Sequence, residues 1–219
     1  MVFLADGTLM MTTGDGFEYR EAAQGKFSLL GKTIRINKDG SIPADNPYAD
    51  GSQGNAKVWS YGHRSPQGLV LDDTIGTVYM REHGAQGGDE LNVVLPARNY
   101  GWPAVTKGIN YSGAYVAPLR SAPGIEEPST YWVPSIAPSG LAIYHGAAFP
   151  QWQGDLFVGA LVDQEVRHIK LEAGKVVSEV AIFTEIAARI RDIRVGPDGF
   201  LYILTDSDNG KVLRVVPNP

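Results

Sequence analysis

The sequence has 219 residues, of which 43% are hydrophobic, so it can form one large or two small domains with a substantial core. Its net charge of -5 and the lack of any basic run argue against nucleic acid as a partner. Cysteine is absent, which excludes disulfides and thiolate chemistry. No stretch approaches the ~18 apolar residues of a membrane span, and residues 1–7 lack the features of a signal peptide.

Two closely similar segments lie near the two ends of the sequence, each an Asp-Gly turn, an alternating strand and a Thr/Asp end. They begin at Asp6 and Asp198, and looser relatives begin at Asp72 and Gly154. A second strand is predicted after each of the four, over residues 31–37, 89–94, 166–171 and 211–216. A repeated pair of strands bounded by tight turns is typical of a β-propeller. We therefore predict an all-β fold, a single partial β-propeller domain over residues 1–219 with about four blades.

Three long insertions separate the predicted strands, at residues 16–26, 38–56 and 101–138. The third is rich in Gly, Pro, Tyr and Ser, and it is long enough to be functional. A short helix is predicted at residues 21–30. Four blades are few for a closed ring, and an open propeller leaves sheet edges that pair readily with other strands. Either the ring closes on four blades, or the remaining blades come from elsewhere, such as a second chain.

Polar, glycine-rich turns flank a predicted strand between residues 61 and 102, and one of them contains Gly84 to Gly88 followed by Asp89 and Glu90. Glycine lets main-chain carbonyls approach a ligand closely, and calcium prefers carboxylate and carbonyl oxygens. One hypothesis is therefore a calcium site formed by loop carbonyls and one or two acids. The alternative is a pair of ordinary surface loops, in which Asp89 and Glu90 make turn and strand-edge contacts.

The four histidines do not have the spacing of a zinc motif such as HExxH. His63 and His83 lie in the glycine-rich turns and are the better candidates for a site, whereas His145 ends a predicted strand and His168 lies within one. The sequence also lacks the Gly-x-Ser-x-Gly elbow of serine hydrolases and the GxGxxG fingerprint of dinucleotide-binding folds. These absences argue against both classes of enzyme.

An unusual charged run, residues 189–194, contains Arg189, Arg191 and Arg194. As a strand, this run is predicted to place all three arginines on one face and Asp192 on the other. Arginine is the preferred partner of carboxylates. The arginine face therefore either binds an anion or is simply solvated.

Several motifs occur in the order that they have in one known family. They include Gly62-His63-Arg64-Ser65-Pro66-Gln67-Gly68 and Asn99-Tyr100-Gly101-Trp102-Pro103, with further matches at residues 30–43, 45–47, 82–84, 88–92, 137–140 and 189–192. Together they resemble the soluble, PQQ-dependent aldose sugar dehydrogenases of the glucose/sorbosone dehydrogenase family. The resemblance covers nearly the whole sequence. It implies a six-bladed propeller, of which this sequence is the C-terminal two-thirds, in a family that is commonly periplasmic or secreted.

The resemblance implies oxidation of an aldose sugar to a lactone by hydride transfer to PQQ, with calcium beneath the quinone. Arg64 is similar to the arginine that lies against the PQQ plane, and Gly84 and Ala85 are similar to the carbonyl ligands of the active-site calcium. The other roles that the resemblance implies are PQQ contacts for Gln24, Ser65, Arg189 and Arg191, a second calcium for Glu90 and Tyr100, and the sugar site for Trp132.

Some positions depart from the family's pattern. Ser65 replaces the usual Asn, Ala85 replaces Pro, and Val162 occupies the place of a cofactor-binding Lys. The family's catalytic base is a histidine just upstream of the first strand, so no catalytic base is expected in these residues. We therefore expect the isolated chain to be inactive. The alternative is a non-catalytic propeller-like module that binds or assembles through a degenerate quinone site.

Overall fold

The computed structural model describes residues 1–217. The described residues form four antiparallel sheets and three short 3-10 helices, which confirms the predicted all-β class. No helix in this part of the chain is long and apolar enough to cross a membrane. The contacts divide the chain into two compact units, residues 1–135 and residues 136 onwards. Whether they form a single domain stays a prediction.

The first sheet of the first unit pairs its strands in sequence order. Its strands are Val2–Phe3 (β1), Leu9–Thr13 (β2), Lys32–Ile36 (β3) and Val58–Tyr61 (β4). Asn46 holds the long insertion between β3 and β4, since its amide nitrogen donates to the carbonyls of Arg35 and Ala56 at 2.9 and 2.8 Å. The insertion is therefore packed against the sheet by buried hydrogen bonds.

The second sheet also pairs its strands in sequence order. Its strands are Ser65–Asp72 (β5), Thr77–His83 (β6), Asp89–Val93 (β7) and Thr130–Trp132 (β8). An apolar cluster that includes Met10, Leu69 and Met80 packs the first two sheets together. The end of β6 and the start of β7 meet at one edge, where Glu82 pairs in register with Glu90.

The second unit contains the other two sheets. Their strands are Pro138–Ile143 (β9), Leu156–Ala160 (β10), Val166–Glu172 (β11) and Lys175–Ile182 (β12) in one sheet, and Ile190–Val195 (β13), Leu201–Thr205 (β14) and Val212–Arg214 (β15) in the other. The core of this unit includes Tyr144, Phe157, Ile193 and Leu201. His168 is structural, as the strand pattern indicated, because its ring donates to or accepts from Asp155 at 2.7 Å and stacks on Phe157.

All four predicted second strands are present, as β3, β7, β11 and β15. In every sheet the strands that pair are neighbours in the sequence, which is the arrangement of a propeller blade. The four sheets are consistent with four blades of a β-propeller, as the repeated strand pairs predicted.

The helix predicted over residues 21–30 is wrong in type and length, because only a 3-10 helix over Arg20–Ala23 forms. The other 3-10 helices are Pro150–Trp152 and Thr184–Ile186. The buried ammonium of Lys32 donates to the carbonyls of Ala22 and Ala23 at 3.0 and 2.9 Å. A longer helix would need those carbonyls for its own hydrogen bonds.

Candidate functional site

The glycine-rich turn between β6 and β7 folds tightly back on itself. A Cβ on Gly84 would lie 2.1 Å from the carbonyl oxygen of Gly87, so no other residue fits at position 84 without a shift of the main chain. Asp89 fixes the turn, since its carboxylate accepts from the Gly84 amide at 2.9 Å and from the Ser135 hydroxyl at 2.6 Å. Asp89 thus makes turn contacts, as the alternative of ordinary surface loops predicted.

A buried hydrogen-bond network lies beneath this turn. The ring of His63 bonds to Ser60 Oγ at 2.8 Å through Nε2 and to Glu82 Oε1 at 3.0 Å through Nδ1. The other oxygen of Glu82 accepts from the main-chain amide of Arg64 at 2.6 Å, and the His63 ring stacks on Tyr100 with centroids 4.5 Å apart. His63 is fully buried and cannot touch a ligand, so it holds the main chain at Arg64 in place.

Two carboxylates face each other at the edge of the second sheet. Glu82 and Glu90 are directly opposed across β6 and β7, and like charges in that position are destabilising. One Asn92 amide nitrogen donates to both, at 3.3 and 3.2 Å. Burial and the Glu82 carboxylate raise the pKa of Glu90 to about 8. A bound proton or cation is needed to compensate the repulsion between these two carboxylates.

Both carboxylates line a small cavity of about 10 Å³, which is close to the ~10–15 Å³ that one water molecule needs. Its walls also include Tyr100 and Gly62. The Tyr100 hydroxyl is already bonded, because it donates to the Val93 carbonyl at 2.5 Å and accepts from the Leu95 amide at 2.9 Å. Tyr100 would therefore reach an ion through its main-chain carbonyl. The donor set of two carboxylates and a carbonyl fits calcium.

The guanidinium of Arg64 lies between two aromatic rings. It is 5.2 Å from the centroid of Trp102 and 5.7 Å from that of Tyr111. Its Nη1 donates to the carbonyls of His83 and Gly84, and its Nη2 donates to the Tyr111 hydroxyl at 3.2 Å. The two carbonyls therefore already converge on a positive charge. Among the described residues, none accepts a hydrogen bond from the buried Arg64 Nε.

A cleft of about 310 Å³ opens beside this arginine, within the size range of small-molecule sites. It is lined by Asp15, Phe17, Glu18, Arg20, Arg64, Ala85, Trp102, Asn110 and Tyr111. Trp102 is fixed in its wall, because the indole nitrogen donates to Asp15 Oδ2 at 2.7 Å. The cleft combines two cations, two anions and three aromatic rings, a composition that suits a polar ring-shaped ligand.

The structure brings together only part of the predicted set of site residues. Arg64 and Ala85 line the cleft, Gly84 adjoins it, and Ser65 pairs with His83 at the start of β5. Glu90 and Tyr100 share the small cavity.

Gln24 and Trp132 are not among the residues that line the cleft. The Gln24 amide nitrogen donates to the Trp102 carbonyl at 2.7 Å and to the Asn99 side chain at 3.0 Å, so Gln24 supports the wall of the cleft. Trp132 is 7% exposed, and its carbonyl accepts from the Gly88 amide. Their roles in binding PQQ and sugar stay predictions.

The predicted arginine face lies in the second unit, at Arg189, which precedes β13, and at Arg191 and Arg194 within β13. Arg189 and Arg191 both donate to the same oxygen of Asp206, each at 2.9 Å. Arg194 pairs instead with Asp192, also at 2.9 Å. The prediction that all three arginines share one face opposite Asp192 is therefore wrong, because Arg194 contacts Asp192 and a register shift between Ile190 and Asp192 interrupts the alternation on which the prediction depends. Only Arg189 and Arg191 form a pair that one carboxylate can bind.

Several contributors to the site were not singled out from the sequence, among them Glu82, Asp15, Phe17 and Tyr111. Glu82 was detectable in principle, because a hairpin turn between Glu82 and Glu90 predicts that the two acids face each other. Phe17 and Tyr111 come from long insertions whose conformation has no periodic signal, and Asp15 directly precedes the first of them. Tertiary packing alone brings these residues to Arg64.

Four antiparallel sheets of neighbouring strands define the chain as a β-propeller protein, and the cleft lies at turns that connect the strands. The family model of glucose/sorbosone dehydrogenases matches residues 1–214. The chain belongs to this family.

Relatives with known names support the same assignment. The aldose sugar dehydrogenase YliI of Escherichia coli is 42% identical over 219 residues, which cover 99% of this chain and 59% of that protein. The crystal structure of the soluble aldose sugar dehydrogenase of Escherichia coli, in its apo form, has a TM-score of 0.93 at 43% identity, covering 99% of this chain and 63% of the other.

A third relative is the PQQ-bound aldose sugar dehydrogenase of Streptomyces coelicolor. Its structure has a TM-score of 0.74 at 27% identity and covers 98% of this chain and 59% of the other. The chain thus spans about three-fifths of the length of these relatives.

Proposed function

We propose that this chain contributes the quinone-binding and calcium-binding part of a sugar dehydrogenase that oxidises aldoses to lactones. The observation that carries the proposal is the arrangement around Arg64. Its guanidinium lies between two rings in a cleft and donates to the main-chain carbonyls of His83 and Gly84, of which the Gly84 carbonyl is one of the two predicted calcium ligands. The family assignment and the PQQ bound to the Streptomyces coelicolor relative support the same conclusion.

Each residue would have its own role in binding the cofactor and calcium. Arg64 would lie against the plane of PQQ, with Ser65 beside it, and the Gly84 and Ala85 carbonyls would hold calcium. For that, Arg64 must release the Gly84 carbonyl, which it binds in the present conformation. PQQ with calcium would supply the hydride acceptor and its activating Lewis acid. Arg189 and Arg191 would bind carboxylates of the cofactor, and Asp206 now holds them as such a carboxylate would.

Glu90, with the carbonyl of Tyr100, would hold a second calcium. The opposed Glu82 carboxylate supports this assignment, since a divalent cation removes the repulsion between the two acids. This ion would also connect β7 to the Asn99–Trp102 segment, which Gln24 holds from the other side. A calcium at this place stabilises the floor of the cleft and takes no part in hydride transfer.

A proton must leave the sugar hydroxyl during the oxidation, and we assign this step to no residue of the chain. His63 is buried beneath the turn, and Asp15 is bonded to Trp102. We therefore expect the isolated 219-residue chain to give no dye reduction with glucose, PQQ and calcium. Steady turnover by the purified chain would contradict this expectation. Removal of calcium with a chelator and omission of PQQ are the controls for background reduction.

A second candidate function is a non-catalytic binding or assembly module with a degenerate quinone site. The amide of Gln24 is committed to Asn99 and Trp102, and the exposed Val162 offers no polar contact to a ligand. These two observations favour it. The module would bind no PQQ, whereas the first proposal requires binding even without turnover, so a binding measurement separates the two.

The partners and location follow from the same proposal. An aldose sugar would be the substrate, and a second chain that pairs with an exposed sheet edge would complete the propeller. Light scattering over a dilution series reports such pairing. By analogy with its family, the protein would act in the periplasm or outside the cell.

A further inference from the structure

Two exposed aromatic rings lie together at the mouth of the cleft. The rings of Phe17 and Tyr111 are stacked, with centroids 6.5 Å apart and planes 27° apart. Their residues are 68% and 61% exposed, although both line the cleft beside Arg64. They come from two different insertions, 94 positions apart in the sequence. A paired aromatic surface that faces solvent at a polar cleft indicates a binding surface.

Polar contacts fix the main chain of Phe17 and both the amide and the hydroxyl of Tyr111. Phe17 has a φ of +63°, which a non-glycine residue rarely adopts, and its amide donates to Asp15 Oδ1 at 2.9 Å. Backbone strain of this kind persists where the surroundings enforce it and is common at binding sites. The hydroxyl of Tyr111 accepts from Arg64, and its amide donates to the side chain of Asn110. The two rings are therefore positioned before any ligand arrives.

We infer that Phe17 and Tyr111 form the surface on which the ring of the aldose substrate lies. This inference rests on the proposed function and deepens it, because it moves the aromatic wall of the sugar site from Trp132 to this pair. The C–H groups on one face of a pyranose are weakly positive and apolar, and they match the negative face of an aromatic ring. Trp132 is buried and offers no such face.

The cleft beside the aromatic pair also offers a polar group to a sugar. Asp15 and Glu18 lie on either side of Phe17 in the chain and line the same cleft. The exposed Glu18 carboxylate can accept hydrogen bonds from the hydroxyl groups of a neutral sugar, whereas the carboxylate of Asp15 is already bonded to Trp102 and to the Phe17 amide. Arg20 and Arg64 line the same cleft, and the PQQ titration described below separates the sugar from the cofactor as the ligand of the pair.

The test compares Phe17→Ala with Phe27→Ala, which removes an equally exposed ring that does not line the cleft. Saturation-transfer NMR with D-glucose reports contact between the sugar's C–H groups and the protein, without any need for turnover. We expect Phe17→Ala to lower the transfer by about fivefold or more, given the usual strength of ring contacts. Phe27→Ala should leave it unchanged, and circular dichroism checks that both variants fold.

The same samples are titrated with PQQ in excess calcium, with the fluorescence of Trp102 and the other tryptophans as readout. If Phe17→Ala transfers saturation to glucose as well as the wild type does, the inference is wrong. It is also wrong if Phe17→Ala loses PQQ binding but keeps the sugar contact, because the pair then contacts the cofactor. If the wild type contacts glucose through Phe17 but binds no PQQ, the proposed function fails while the sugar surface stands.

Discussion

Replacing Glu90 by glutamine is expected to abolish the stabilisation that calcium gives the chain, while the metal-free chain stays at least as stable as the wild type. Glu90 faces Glu82 across the sheet and accepts a hydrogen bond from Asn92. Without a cation, the Glu90 carboxylate therefore lowers the stability of the folded chain. With a cation, the same carboxylate serves as a ligand. Thermal unfolding in chelator and in excess calcium measures both effects. At a hundredfold excess over Kd, mass action predicts about 2.7 kcal/mol for the wild type.

Glu172→Gln is the matched control for this substitution. Glu172 is an exposed carboxylate in the second unit that forms an ion pair with the exposed Lys170 at 3.3 Å, and its loss should leave the calcium response intact. An equal calcium stabilisation of Glu90→Gln and the wild type would remove Glu90 from the metal site. A marked loss of stability of metal-free Glu90→Gln would contradict the repulsion between the two acids.

The pH dependence of the metal-free chain follows from the same residue. Burial and Glu82 raise the pKa of Glu90 to about 8 from its ordinary value near 4.5, so the folded state binds the proton more tightly than the unfolded state. The resulting stabilisation is complete below pH 4.5 and is lost as the pH rises through 8. A difference of one in pKa already corresponds to about 1.4 kcal/mol. Unfolding scans in chelator should show this loss in the wild type and not in Glu90→Gln.

Replacing Glu82 by alanine is expected to destabilise the chain strongly, although Glu82 belongs to the same pair of acids. Its buried carboxylate accepts hydrogen bonds from His63, Asn92 and the main chain of Arg64. Each buried donor left unpaired costs about 1–3 kcal/mol, so the expected loss is about 3–5 kcal/mol after some relief of repulsion from Glu90. For a chain of this size, the melting temperature should fall on the order of 10 °C.

Denaturant unfolding monitored by tryptophan fluorescence measures this loss directly. Glu172→Ala again serves as the control, since an exposed ion pair contributes about 0–1 kcal/mol. A free energy of unfolding of Glu82→Ala within the error of the wild type would contradict the network around His63. The opposite signs expected for Glu82→Ala and metal-free Glu90→Gln separate the carboxylate that holds the network around His63 from the carboxylate whose charge needs a cation.

The strands of this chain can be predicted from the sequence because their signals are local. An Asp-Gly turn followed by alternating residues predicts β2 and β14, and the looser copies predict β6 and β10. The short 3-10 helix at Arg20–Ala23 cannot be predicted in this way. It depends on Lys32, whose buried ammonium binds carbonyls that a longer helix would use.

The site is less accessible to prediction, because its residues meet through packing. The motifs give Arg64, Gly84, Ala85, Glu90 and Tyr100, which do lie around the cleft and the small cavity. They do not show that Gln24 is bonded to Asn99 and Trp102, or that Arg194 separates from Arg189 and Arg191. Nor do they show that Phe17 lies against Tyr111, since neither insertion has a regular pattern.

Calorimetric titration of PQQ into the chain, in excess calcium, tests the central proposal most directly. The arrangement around Arg64 predicts saturable binding with micromolar or tighter affinity, lost when calcium is removed. Arg64→Ala should weaken it by about tenfold or more, since each charged hydrogen bond contributes about 1.5–3 kcal/mol. No heat of binding in the wild type, or equal binding by Arg64→Ala, would contradict the account of this cleft as a quinone site.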